Sequence, residues 1–100
     1  MYFLLTYDLT ADYLIKREAF RDAHINYAMT FVEQGSLCLG GALQSPASQA
    51  LLVFKGKNSQ VVKDFAKQDP YVLNGLITEW RVNEWNIVLG LGINSVAAPK

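Results

Sequence analysis

The chain has 100 residues, enough for one small domain with a single core. Nine basic and nine acidic side chains cancel, so no basic stripe is present to neutralise phosphates, which argues against nucleic acid as a partner. A single cysteine, Cys38, and a single histidine, His24, exclude an internal disulfide and argue against a structural metal site. Cys38 stands in a strand-like run and reads as a small buried hydrophobe rather than a catalytic thiol.

With 51% hydrophobic and 18% charged residues, the chain carries more apolar material than one small core hides, which predicts a homodimer. The start Met1-Tyr2-Phe3-Leu4-Leu5 lacks a charged lead and meets Asp8 early, so neither a signal peptide nor a membrane span is expected. The expected setting is cytoplasmic, unless a transit segment has been removed.

Tyr2 to Leu9 reads as a strand buried on both faces or nearly so. Asp12 is the expected N-cap of a long helix running to about Gln34, with Gly35 in the left-handed closing position. Phe20, Ala23, Tyr27, Ala28 and Phe31 recur at helical spacing and mark its buried side. Arg17, Glu18, Arg21, Asp22, Asn26 and Glu33 mark a solvated outer side. Ser36 to Gln44 predicts a strand, with Leu37, Leu39, Gly41 and Leu43 on one face and Cys38, Gly40 and Ala42 on the other. Ser45-Pro46-Ala47-Ser48 is turn material, and Gln49 to Lys55 returns as an antiparallel strand.

Asn58 or Ser59 caps a second helix that turns Val61, Val62, Phe65 and Ala66 inward and ends by Asp69, because Pro70 disfavours helical geometry before it. A tight turn or short helix over Pro70 to Gly75 leads into a final strand, Leu76 to Leu89, with a bulge expected near Asn83-Glu84. Residues 90–100 read as a C-terminal tail behind a domain over 1–89. The order strand, helix, strand, strand, helix, strand predicts an α+β, ferredoxin-like βαββαβ fold: a four-stranded antiparallel sheet with two helices on one face. Covering the other face with a twin sheet would make a dimeric α/β barrel.

His24 lies on the apolar side of the first helix, four residues from Phe20 and from Ala28. An imidazole placed there loses water and needs a polar partner. It is either a core histidine bonded to a carbonyl or a proton-transfer group beside a cavity. Asp69, at the end of the second helix, is either a plain cap before Pro70 or a carboxylate that fixes the imidazole tautomer and raises its basicity. Arg21, one turn before His24, either anchors an anionic substrate or pairs with Glu18. Tyr7 and Tyr71 are core residues unless their hydroxyls reach the same cleft. These five are the candidate site: His24 and Asp69 catalytic, Arg21, Tyr7 and Tyr71 for a small-molecule substrate.

Arg21-x-x-His24, Gly35 before a strand, Gly40-Gly41-Ala42, Leu51 to Phe54 and above all Asp69-Pro70-Tyr71 with Gly75-Leu76 and Trp85 make the chain similar to the YCII-related (YciI-like) family. The resemblance runs to about Leu89. It implies a dimeric α/β barrel, a His–Asp site on His24 and Asp69, and kinship to small barrel enzymes such as muconolactone isomerases. One group of the family acts as a dehydrochlorinase on chlorinated hydroxyhydroquinones. The chain departs from the family at Ala42, where proline commonly follows glycine.

Two functions are expected to compete. One is a cofactor-independent elimination or isomerisation of a small aromatic or lactone-like substrate. The other is a non-catalytic metabolite-binding or accessory homodimer with a structural His–Asp contact. An RNA-recognition module shares the strand order, but Ala50 to Phe54 lacks the exposed aromatics and basic residues it needs.

Overall fold

Along the first strand Phe3, Leu5 and Tyr7 alternate with Leu4, Thr6 and Asp8, and all three are buried on one face. Around them the computed structural model, described over residues 1–92, arranges β1 (Tyr2–Leu9), α1 (Tyr13–Glu33), β2 (Leu37–Ala42), β3 (Gln49–Lys55), α2 (Gln60–Gln68), α3 (Pro70–Leu73) and β4 (Ile77–Trp85). The sheet order is β2-β3-β1-β4, with every neighbouring pair antiparallel. Residues from α1 (Tyr27, Phe31) and α2 (Val62, Phe65, Ala66) pack on the same β1 and β3 side chains, so both helices cover one sheet face. The ferredoxin-like α+β fold is therefore as expected from the element order.

Phe65 is the centre of the core. Its ring meets Phe54 and Phe31 edge-on and Tyr27 at a tilt, with centroids 4.9–5.0 Å apart. Such geometries add about 0.5–1.5 kcal/mol per pair beyond area burial. Gly35 (φ 84°) and Gly75 (φ 77°) end α1 and α3 in the left-handed region. In each case the residue after the glycine donates its N–H back across the turn, Ser36 to Phe31 and Leu76 to Tyr71, both at 3.0 Å. The second of these turns leads straight from Tyr71 into the fully buried Leu76 and on to β4.

Asp12 stands at the N-cap of α1 without a capping bond from its side chain; its carboxylate lies 3.6 Å from Lys16 instead. Before α2 it is Asn58, not the N-cap Ser59, whose side chain accepts a helix N–H, that of Gln60 at 2.9 Å.

Five expectations are corrected. A register shift between Leu37 and Leu39 places Cys38 at a bulge, exposed rather than buried, and reverses the alternation beyond it. Leu37 pairs with Phe54 of the core face, whereas Gly40 and Ala42, not Gly41 and Leu43, sit opposite the buried Leu52 and Ala50. In β4 the irregularity is at Thr78, not at Asn83-Glu84: Leu9 faces Ile77 while Asp8 faces Glu79, and the Thr78 hydroxyl donates to the Asp8 carbonyl at 3.2 Å. That strand ends at Trp85, short of Leu89. Ala23 is exposed, because α1 rests on the sheet along a narrow strip through Phe20, Tyr27, Ala28 and Phe31.

Among the described residues, no helix covers the second sheet face. There Leu4 pairs with Val53 and Thr6 with Leu51, and Trp85 at 45% exposure faces Tyr2. The expected tail falls mostly on residues 93–100, which lie outside the described residues. Among those described, no helix is long and apolar enough to cross a membrane.

Candidate active site

The local sequence Gln68-Asp69-Pro70-Tyr71 builds the anchor of the site. Pro70 forces the residue before it out of helical geometry, and Asp69 has φ −62° and ψ 126°, ending α2. The same residue is the N-cap of α3, with proline in the first turn where its missing N–H is not needed. Its Oδ1 accepts the N–H of Tyr71 at 2.9 Å, which directs the carboxylate into the protein. Asp69 is fully buried.

A buried carboxylate needs donors, and two more reach it from distant parts of the chain. The Tyr7 hydroxyl on β1 donates to Oδ2 at 2.7 Å. His24, in the middle of α1, places Nδ1 2.7 Å from Oδ1. With the carboxylate as acceptor, Nδ1 carries the hydrogen and Nε2 is left with its lone pair. The His24 side chain is 15% exposed. Its ring also lies flat against Tyr71, 3.8 Å between centroids and 6° from parallel. Tyr71 in turn takes the edge of Tyr13 at 5.8 Å. The imidazole is thus held in its plane by Asp69 and on one face by Tyr71.

An open cavity of about 980 Å3 lies between α1 and the β2–β3 side of the sheet, with His24, Tyr71 and Tyr7 on its wall. Its size falls in the range of small-molecule sites. The floor is Leu52 and Ala50, and Gly40 keeps the adjoining strand low. A Cβ on Gly40 would come within 3.1 Å of the Leu52 side chain. The opposite wall is the flank of α1 that does not touch the sheet, where Leu14, Ile25, Met29 and Val32 are all partly exposed.

The structure brings together four of the five expected residues, His24, Asp69, Tyr7 and Tyr71. Arg21 lines the same cavity without a hydrogen bond or ion pair to them. Arg17 is a correction: expected on the solvated outer side, it is half-buried and lines the cavity beside Arg21. The spacing Arg17, Arg21, His24 (steps of four and three) was the signal for it.

Burial and the neighbouring Asp69 push the Tyr7 phenol far above its ordinary pKa. Burial, with smaller effects from nearby Tyr13 and Asp69, pushes Tyr71 up to about 12. Burial and the carboxylates of Asp69 and Asp64 do the same for Tyr27, whose hydroxyl donates to the Phe65 carbonyl at 2.9 Å. Among the described residues, no group of three or more His, Cys, Asp or Glu side chains is placed to hold a metal ion.

Fold and site together define a small α+β protein with an imidazole–carboxylate pair on the wall of an open cavity. The chain belongs to the YCII-related family, whose domain model matches residues 1–86. A search of curated proteins gave no match. Among solved structures, it is similar to the 5-chloro-2-hydroxyhydroquinone dehydrochlorinase TftG of Burkholderia phenoliruptrix AC1100, in complex with 2,5-dihydroxybenzoquinone. That likeness has a TM-score of 0.72 at 20% identity, over 85% of this chain and 93% of the other, and shows a shared fold.

Because the folded Tyr7, Tyr27 and Tyr71 hold their protons above the point where unfolded tyrosine ionises, about pH 10, stability is full below that pH and falls as pH rises past it. Urea unfolding followed from pH 8 to 11.5 should show this decline. Tyr7→Phe leaves a buried carboxylate oxygen without its donor and should cost about 1–3 kcal/mol at pH 8. The variant's decline above pH 10 should be shallower than that of the parent. Equal stability of the two at pH 8 would contradict the hydrogen-bond assignment.

Proposed function

We propose that this protein binds a small aromatic or lactone-like molecule in the cavity and uses the His24–Asp69 pair to move one proton during an elimination or isomerisation. The observation that carries this is the 2.7 Å Nδ1–Oδ1 contact at the cavity wall, which leaves Nε2 as the basic atom. His24 takes a proton from a carbon or hydroxyl beside an electron-withdrawing group. In an elimination the released electron pair expels a leaving group from the neighbouring position. In an isomerisation it shifts a double bond, and the imidazolium returns the proton elsewhere on the substrate. Asp69 orients the ring and stabilises the imidazolium by charge. Tyr71 backs the imidazole at the cavity wall and Arg21 offers a polar contact, while Tyr7 lines the cavity and holds Asp69 with its hydroxyl. None of these steps requires a cofactor. The likeness to a dehydrochlorinase bound to a dihydroxybenzoquinone supports a hydroxylated ring as the substrate class.

A second reading rests on a specific feature: Asp69 accepts from three donors on β1, α1 and α3, as a purely structural knot would. In that case the protein is a non-catalytic metabolite-binding or accessory homodimer. Turnover of a panel of hydroxyquinols, halogenated catechols and lactones separates the two. His24→Ala and Asp69→Asn should each lower the rate about 100- to 10,000-fold, the range for a positioned acid/base group, with ligand affinity nearly unchanged. Variants that keep binding, lose stability and reveal no turnover in the parent would establish the structural reading.

The same proposal includes a homodimer in the cytoplasm, with residues 1–89 as the functional unit and 90–100 as a tail. The sheet face carrying Leu4, Leu51 and the exposed Trp85 is the surface a twin sheet would cover to make a dimeric barrel. An exposed, unpaired Cys38 suits a reducing compartment. Light scattering at micromolar concentration should give twice the chain mass, and a monomer mass would contradict the dimer.

A further inference from the structure

The cavity wall carries both acid/base chemistry and charge. Among the described residues, its charged side chains are Arg17 and Arg21, with His24 beside them, and no carboxylate lines it. In a chain whose nine cations and nine anions balance, that is a local concentration of positive charge. Among the described residues, neither guanidinium has an acidic side chain within ion-pair distance. The ion pairs present are Lys16 with Asp12, Arg81 with Asp8, and His24 with Asp69. Two arginines four residues apart on one helix repel each other, so the arrangement disfavours the empty protein slightly.

Arg17 is also held in place. Its guanidinium carbon lies 5.6 Å from the centre of the Tyr13 ring, Tyr13 packs edge-on against Tyr71, and Tyr71 stacks on His24. The Nε of Arg17 is buried and has no hydrogen-bond partner. A fixed guanidinium with an unanswered buried N–H, beside a second one, has the donor set that a carboxylate accepts in bidentate fashion. Both arginines also act electrostatically on the Tyr71 hydroxyl, which places their charge near that end of the cavity.

We propose that Arg17 and Arg21 form a carboxylate clamp, and that the substrate is a small organic acid. The clamp holds its carboxylate while the uncharged ring or chain lies between Leu52 and Ile25, within reach of His24. Along a helix axis His24 is about 4.5 Å from Arg21 and about 10.5 Å from Arg17. The reacting carbon therefore sits roughly one ring's width from the acid group. This deepens the small-molecule function proposed above and rests on the cavity being that site.

The test compares two probes that differ only in the carboxylate, 2,5-dihydroxybenzoate and hydroquinone, by calorimetry and by the Arg Nε–Hε signals in 15N spectra. The parent should bind 2,5-dihydroxybenzoate at least about 10-fold more tightly than hydroquinone, and the Arg17 Nε–Hε signal should move. The double variant Arg17→Gln/Arg21→Gln, checked for folding by circular dichroism, should lose that preference, and Arg17→Lys/Arg21→Lys should restore part of it. His24→Gln should abolish turnover and leave the preference intact, so a failed acid/base function and a failed clamp give different results. Equal affinity for the two probes, binding of neither at millimolar concentration, or a preference that survives the double glutamine variant would overturn the clamp.

Discussion

Asp69 is the point on which the arrangement turns. A carboxylate removed from water is expensive unless its oxygens are met by donors. Here they come from the Tyr71 backbone, the Tyr7 hydroxyl and the His24 ring. Those three groups belong to a short helix after the second crossover, to the central strand and to the long helix. The need to satisfy one side chain therefore fixes how three elements sit against one another. It also fixes which nitrogen of the imidazole bonds to the carboxylate and which is left with its lone pair.

The cavity exists because α1 is apolar on two sides and the sheet covers only one. Phe20, Tyr27, Ala28 and Phe31 pack downward, while Leu14, Ile25, Met29 and Val32 overhang β2. On the strand beneath, Gly40 leaves space that a larger side chain would fill. The arginines stand on the same flank, so the helix presents an apolar wall, two cations and a base in one line. A ligand bound there meets chemistry at one end and charge at the other.

Much of this was legible in the sequence because it is local. The element order follows from hydrophobic periodicity, the break at Asp69 from Pro70, and the oddity of His24 from its place on an apolar side. Their pairing was suggested by topology, which sets the two crossovers side by side. The parts that were not legible depend on contacts between distant segments. The Cys38 bulge arises from pairing of β2 with β3, and the Thr78 bulge from pairing of β4 with Asp8 and Leu9. In a strand of small residues, such as Cys38-Leu39-Gly40-Gly41, alternation carries little information about which face is buried. In the sequence Arg17 reads as solvated because its charge outweighs its position. Only the closeness of Tyr13 and the cavity corrects that.

The most direct test of the account is the tautomer of His24, read from its ring nitrogens in 15N-labelled protein under conditions where the ring is neutral. The account predicts a hydrogen on Nδ1, bonded to Asp69, with Nε2 bare, and a reversal of that preference in Asp69→Asn. A hydrogen found on Nε2 in the parent, unaffected by the substitution, would contradict it.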